Sequence, residues 1–134
     1  MCKSTLYILM RNDMESMTPG KAAAQAAHAA NAVKNHFITK IKDKVTVEEF
    51  SFWESQTTQG FGTTIVLGVT EKEMNDTIES LGKLFVSGIV HDPTYPVKDG
   101  KIMHLIPVDT CAYIFAPNRD DTLLKSVLGK YNLY

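Results

Sequence analysis

The sequence is short of cysteine, of long apolar runs and of net charge, and each shortage removes a class of explanation. Its two cysteines, Cys2 near the start and Cys111 in an apolar run, form neither a disulfide framework nor the clustered spacing of a zinc site. They read as reduced thiols. No stretch approaches the ~18 consecutive apolar residues of a membrane span, and the first residues lack a signal peptide's basic start, long apolar run and small-residue cleavage site. The expectation is a cytoplasmic protein with no membrane partner. GxGxxG, P-loop, HExxH and GxSxG patterns are all missing, which leaves dinucleotide, nucleotide-triphosphate, zinc-protease and α/β-hydrolase readings without a motif. The histidines, His28, His36, His91 and His104, include no close helical pair. Neither a metal nor a cofactor is expected.

What is present suits one compact domain over residues 1–134. The chain is 44% apolar, and one of this length buries enough surface to fold without staples. Net charge is only −1, but residues 1–44 hold seven Lys or Arg against three acids, so that segment carries +4 and the remainder −5. A protein that meets a phosphate backbone with one face would be charged this way, because Lys and Arg at phosphates gain affinity by releasing counterions. A Lys-rich segment such as Lys34 to Lys44 is also compatible with plain solvated surface.

Periodicity and punctuation give an alternating series of elements. Thr5 to Met10 is a β-prone run stopped by Arg11, Asn12 and Asp13. Thr18 and Pro19 then open an alanine-rich helix to about Asn35, with Thr18 as the expected cap and Pro19 at the first helical position. Thr46 and Glu49 resemble a capping box for a short helix carrying Phe50 and Trp53. Thr64 to Val69 reads as a buried strand, and Thr70 with Glu73 as a second capping box, for a helix that buries Met74, Ile78 and Leu81 and ends near Gly82. Ile89 and Val90 form a short strand ending at Asp92. Pro93 to Gly100 is a loop or hairpin with a turn at Asp99-Gly100, followed by strands Ile102 to Ile106 and Cys111 to Phe115, separated at Pro107. A last helix starts at Asp120 and ends at Gly129, with Leu123, Leu124, Val127 and Leu128 toward the core. Such alternation predicts α/β layers, with helices on both faces of a mostly parallel or mixed sheet.

In such folds the functional crevice lies at the carboxyl ends of strands. Two places meet that description: Gly20-Lys21 after the first strand, and Asp92. Lys21, Gln25 and His28 stand at i, i+4 and i+7, on one helix face. If the alanines pack on the sheet, this row looks along the cleft edge. Lys21 beside the positive end of the helix dipole is a misfit of about 0.3 to 1 kcal/mol, and an anionic partner would relieve it, whether Asp92, a substrate phosphate or a developing oxyanion.

The apolar run Leu6 to Asp13, ending in Arg-x-Asp, followed by Gly20-Lys21-Ala22-Ala23-Ala24-Gln25-Ala26-Ala27-His28-Ala29, resembles the signature of the archaeal and eukaryotic peptidyl-tRNA hydrolases. The likeness is strong over the first quarter and looser through Trp53-Glu54, Ile65 to Val69, the strand reaching Asp92, and Cys111 to Pro117. It implies a three-layer α/β/α sandwich around a mixed sheet of about four to five strands. It also implies a commonly dimeric enzyme that hydrolyses, without a metal, the ester joining a peptide to the terminal ribose of tRNA. The family's lysine, glutamine, histidine and aspartate fall on Lys21, Gln25, His28 and Asp92. Asp92 would then orient or deprotonate water and Lys21 would stabilise the oxyanion. Arg11, Lys34, Lys40 and Lys42 become candidates for tRNA contact.

After Asp92 the chain departs from the family's D-A-G-x-T-Q-I-x-P-G-T. It reads Asp92-Pro93-Thr94-Tyr95-Pro96, with Pro96 where a threonine is expected. Thr94 and Thr110 are the candidates for a replacement hydroxyl. Two other readings stay open: an RNA-binding module of the same fold without turnover, and a structural or protein-interaction domain.

Overall fold

The structure is a computed structural model that describes residues 3–134, so the expectation for Cys2 lies outside the described residues. Eight elements follow in order: β1 (Thr5–Arg11), α1 (Pro19–Thr39), α2 (Lys44–Glu54), β2 (Thr64–Val69), α3 (Glu71–Leu81), β3 (Ser87–Asp99), β4 (Ile102–Ala116) and α4 (Thr122–Leu128). The four strands form one mixed sheet in the order β2-β1-β4-β3. β1 and β2 are parallel, and β4 runs antiparallel to both β1 and β3.

Side-chain alternation in β1 sorts the core into two halves. Leu6, Ile8 and Met10 face α1 and α2, packing with Ala22, Ala29, Val33, Phe37, Phe50 and Trp53. Leu9 points the other way, to Met74 and Leu81 of α3 and Leu124 and Leu128 of α4. Helices therefore cover both faces, and the fold is a three-layer α/β/α sandwich with four strands. Under α1 and α2 the rings of Phe37 and Phe50 stack with centroids 4.1 Å apart, and Phe115 meets both edge-on.

Several boundaries differ from expectation for local reasons. α1 continues past Asn35 to Thr39 because Phe37 is buried in this aromatic group. Thr18 occupies its N-cap position but makes no side-chain cap bond. α2 is capped not by Thr46 but by Asp43, whose carboxylate accepts from both the Thr46 amide and the Thr46 hydroxyl. In α3 the Thr70–Glu73 capping box is complete. α4 is capped by Asp121 rather than begun at Asp120, and of its four leucines and valines only Leu124 and Leu128 are buried.

The largest correction lies in the second half. β3 does not end at Asp92 but runs to Asp99, and the two strands expected around Pro107 are a single fifteen-residue β4. Pairing makes room for the prolines. Asp92 faces Val108 and Tyr95 faces Ile106, so Pro93 and Thr94 together oppose Pro107 in a β-bulge, where a missing amide breaks no ladder bond. A second irregularity leaves Thr110 unmatched between the pairs Val90–Cys111 and His91–Asp109. β1 pairs with β4 only as far as Cys111, so beyond it β3 and β4 continue alone as a two-stranded arm closed by the turn at Gly100, with φ +60.

The Asp43→Ala variant should lose a little stability through the missing cap, whereas Phe50→Ala should lose about 3 to 5 kcal/mol through the cavity it leaves. Urea unfolding monitored by circular dichroism separates the two.

Candidate active site

The site begins with a buried amide. Gln25 was expected on the cleft edge with the alanines against the sheet, but half of those alanines, Ala23, Ala24, Ala27 and Ala30, are exposed, and Gln25 itself is turned inward at 2% exposure. A buried carboxamide needs partners for its N–H and its oxygen. Gln25 Nε2 donates to Asp92 Oδ2 at 2.7 Å, and Gln25 Oε1 accepts from the Thr110 hydroxyl at 2.6 Å. One helix residue thus ties together two strands.

Both strand partners reach α1 because of the bulges. In regular pleating Thr110 and Cys111 would face opposite sides of the sheet, yet the Cys111 thiol also contacts the Gln25 carbonyl, at 3.6 Å. Burial pushes that thiol up to about 12, so it stays protonated and unreactive. Asp92 is 9% exposed. Its Oδ1 accepts from the Thr94 amide at 2.9 Å and from the Thr94 hydroxyl at 3.3 Å, an Asx turn inside the bulge. Burial alone would push the carboxyl up; the bonds from Gln25 and Thr94, with the charge of His28, outweigh it and hold Asp92 below its ordinary value. At neutral pH it is an anion with its oxygens directed.

Lys21 stands beside this group without pairing to Asp92. Its ammonium donates to the Pro96 carbonyl and lies 5.1 Å from the centre of the Tyr95 ring. His28 is exposed on α1 at the rim. Of the expected residues, Lys21, Gln25, Asp92, Thr94 and Thr110 therefore come together at the base of the arm, beyond the carboxyl end of β1.

The basic candidates do not join them. Arg11 is committed within the protein: its guanidinium bonds Asp13 at 2.9 Å, Glu71 at 3.2 Å and the Asp109 carbonyl at 3.1 Å. Lys34 pairs with Glu54 at 3.0 Å. Lys40 and Lys42 are exposed beyond the far end of α1, where they line a cleft of about 400 Å³ with His36 and Lys83. That end lies about 28 Å from Lys21 along the helix axis. Among the described residues, no group of three or more His, Cys, Asp or Glu is placed to hold a metal ion, and no helix is long and apolar enough to cross a membrane.

The family model for peptidyl-tRNA hydrolase PTH2 matches residues 4–134. The chain belongs to that family. Membership makes it an enzyme, a peptidyl-tRNA hydrolase whose substrate is peptidyl-tRNA. No individual curated protein matches the chain.

Two features of this hydrolase were not foreseen from its sequence. Tyr95 is fully buried beside Lys21, its phenol 3.1 Å from the Ser16 hydroxyl. The Pro96 carbonyl takes the lysine's bond where the family pattern has a threonine. An aromatic three residues after the aspartate, between two prolines, was the available signal, and the assignment of that segment to loop or hairpin hid it.

Replacing Gln25 with leucine should leave Asp92 and Thr110 short of a partner and cost about 1 to 3 kcal/mol at neutral pH. The folded Asp92 carboxyl lies below its ordinary value, so its stabilising contribution is present above the ordinary carboxylate range and lost as pH falls through the folded value. The deficit of Gln25→Leu should accordingly shrink in acid, and carbon-detected NMR should show Asp92 titrating higher than in the wild type. An unmoved Asp92 titration would mean that Gln25 does not hold the carboxylate.

Proposed function

We propose that this peptidyl-tRNA hydrolase cleaves its ester between Asp92 and Lys21, with Gln25, Thr94 and Thr110 fixing the carboxylate. The observation that carries the reading is the doubly anchored, ionised Asp92 on the strand whose Pro96 carbonyl, four residues on, takes the Lys21 ammonium. A carboxylate held below its ordinary value is a weak base toward free water but a good acceptor for orienting it. As the water oxygen bonds to the ester carbonyl carbon, its proton becomes strongly acidic and passes to Asp92. The carbonyl oxygen becomes an oxyanion, which the Lys21 ammonium stabilises with a donor not used on Pro96. Collapse breaks the bond to the ribose oxygen, which takes up the proton and leaves as free tRNA, while the peptide departs as a carboxylic acid that ionises at neutral pH.

His28, at the rim, meets the substrate before the buried group does. Arg11 supports the loop that precedes α1. Lys34 lies farther along α1 and Lys40 and Lys42 just beyond its end, a span a tRNA can bridge, and all three are assigned to backbone phosphates. The same reading places the enzyme in the cytoplasm, where translation supplies the substrate, and takes it to act as a homodimer, as the family resemblance implies.

Purified protein should release N-acetylated amino acids from charged tRNA. Asp92→Asn should lower kcat by about 10² to 10⁴-fold, with a lower unfolding midpoint because one amide oxygen cannot take the bonds of both Gln25 and Thr94, and Lys21→Ala should lower kcat by about 10² to 10³-fold with a midpoint close to wild type. Wild-type turnover in either variant would sink the assignment of that residue; tRNA binding with no turnover in the wild type would favour a binding module instead.

The double variant Lys40→Gln/Lys42→Gln should weaken tRNA binding similarly for different tRNA sequences and flatten the dependence of log Kd on log salt by roughly one to two. An unchanged slope would remove those lysines from the tRNA footprint.

A further inference from the structure

We infer that Tyr95 positions the Lys21 ammonium for catalysis, a role that rests on the reading of Lys21 as the group that meets the oxyanion. A lysine is a point charge on a flexible four-carbon stem, and here it sits in the first turn of α1, where the helix dipole repels it. Left alone, such an ammonium would swing to water. Two contacts hold it. The Pro96 carbonyl takes one of its three donors, and the face of the Tyr95 ring, whose quadrupole attracts a cation, lies 5.1 Å away.

The ring is itself immobilised. Tyr95 is fully buried, with its phenol oxygen 3.1 Å from Ser16 Oγ and 3.8 Å from Met17 Sδ, both in the loop that leads into α1. The residue that contacts the lysine's charge is thus anchored to the segment that launches the lysine's helix. Its orientation comes from the bulge: in regular pleating Tyr95, three residues after Asp92, would fall on the opposite face of β3, but Pro93 and Thr94 together fill one ladder position and bring it back to the face of Asp92. As built, Asp92 and Tyr95 face α1 together, one aimed at water and the other at the ammonium. With the ring on one side and the carbonyl on another, the remaining donors of Lys21 are confined to a narrow range of directions.

Tyr95 makes no bond to the substrate in this scheme, so its removal should lower kcat and leave KM unchanged. In the release assay, Tyr95→Leu should lose about 3- to 30-fold in kcat, the range expected for one cation–π contact. Tyr95→Phe, which keeps the ring, should stay within about threefold of wild type. Lys21→Ala should be no slower when combined with Tyr95→Leu than alone, because the ring acts through the lysine. If the two losses multiply instead while Lys21→Ala remains slow, Tyr95 is not the positioning group and the catalytic assignment of Lys21 stands. If Lys21→Ala turns over at the wild-type rate, the assignment of Lys21 falls and takes this inference with it. Should Tyr95→Leu fail to fold, phenylalanines carrying one, two and three ring fluorines at position 95 give the same test, since fluorine drains the ring face with little change of shape. A stepwise fall in kcat supports the inference, and a flat series overturns it.

Discussion

A carboxamide sealed between a helix and a sheet must spend its hydrogen bonds on the protein, and the rest of the site depends on where Gln25 spends them. Its oxygen accepts from a hydroxyl on β4 and its nitrogen donates to a carboxylate on β3. Either bond left unmade would cost about 1 to 3 kcal/mol, so the helix cannot slide or turn on the sheet without penalty. The amide therefore acts as a gauge between layers. It fixes the depth of Asp92 relative to α1, and with it the separation between the carboxylate and the lysine one helical turn earlier.

The same amide explains how a carboxylate can stay charged at low exposure. Three donors reach Asp92, one from α1 and two from Thr94 within the bulge, and together they outweigh the cost of desolvation. Lys21 is free of that task. A salt bridge between them would have spent each charge on the other; directing the neutral amide of Gln25 to the carboxylate, and a backbone carbonyl to the ammonium, leaves both charges unspent.

Much of this was legible in the residues, and what was not has a physical cause. The strand Thr64–Val69, the Thr70–Glu73 capping box and the alanine helix followed from local chemistry that tertiary contacts did not override. Lys21, Gln25 and Asp92 were named through the signature; the strand-end rule pointed to Asp92 on a premise the structure overturns, since β3 continues to Asp99. The inward turn of Gln25 was not, because polarity places glutamine outside unless its partners are known, and those partners lie 67 and 85 residues away. Pro93, Pro96 and Pro107 argued against strand, and only the register of β3 against β4 shows that bulging accommodates Pro93 and Pro107. Strict alternation would also have set Thr110 facing away from the site. Charge bias located basic residues in the first third of the chain, but it could not distinguish Arg11, consumed by Asp13 and Glu71, from Lys40 and Lys42 on open surface.

The arm beyond Cys111 has only itself for a neighbour in the ladder. Two paired strands without a third are marginal on their own, so backbone order should decline from the sandwich outward to Gly100, with amide exchange fastest toward the tip and slowest where β4 joins β1. Asp92 lies just past that junction, and Tyr95 and Pro96 a few residues further. Tyr95 is nevertheless fully buried against the loop before α1, so the carboxylate and the ring that faces the lysine both stand on the ordered side of that gradient, and its yielding end begins beyond Pro96.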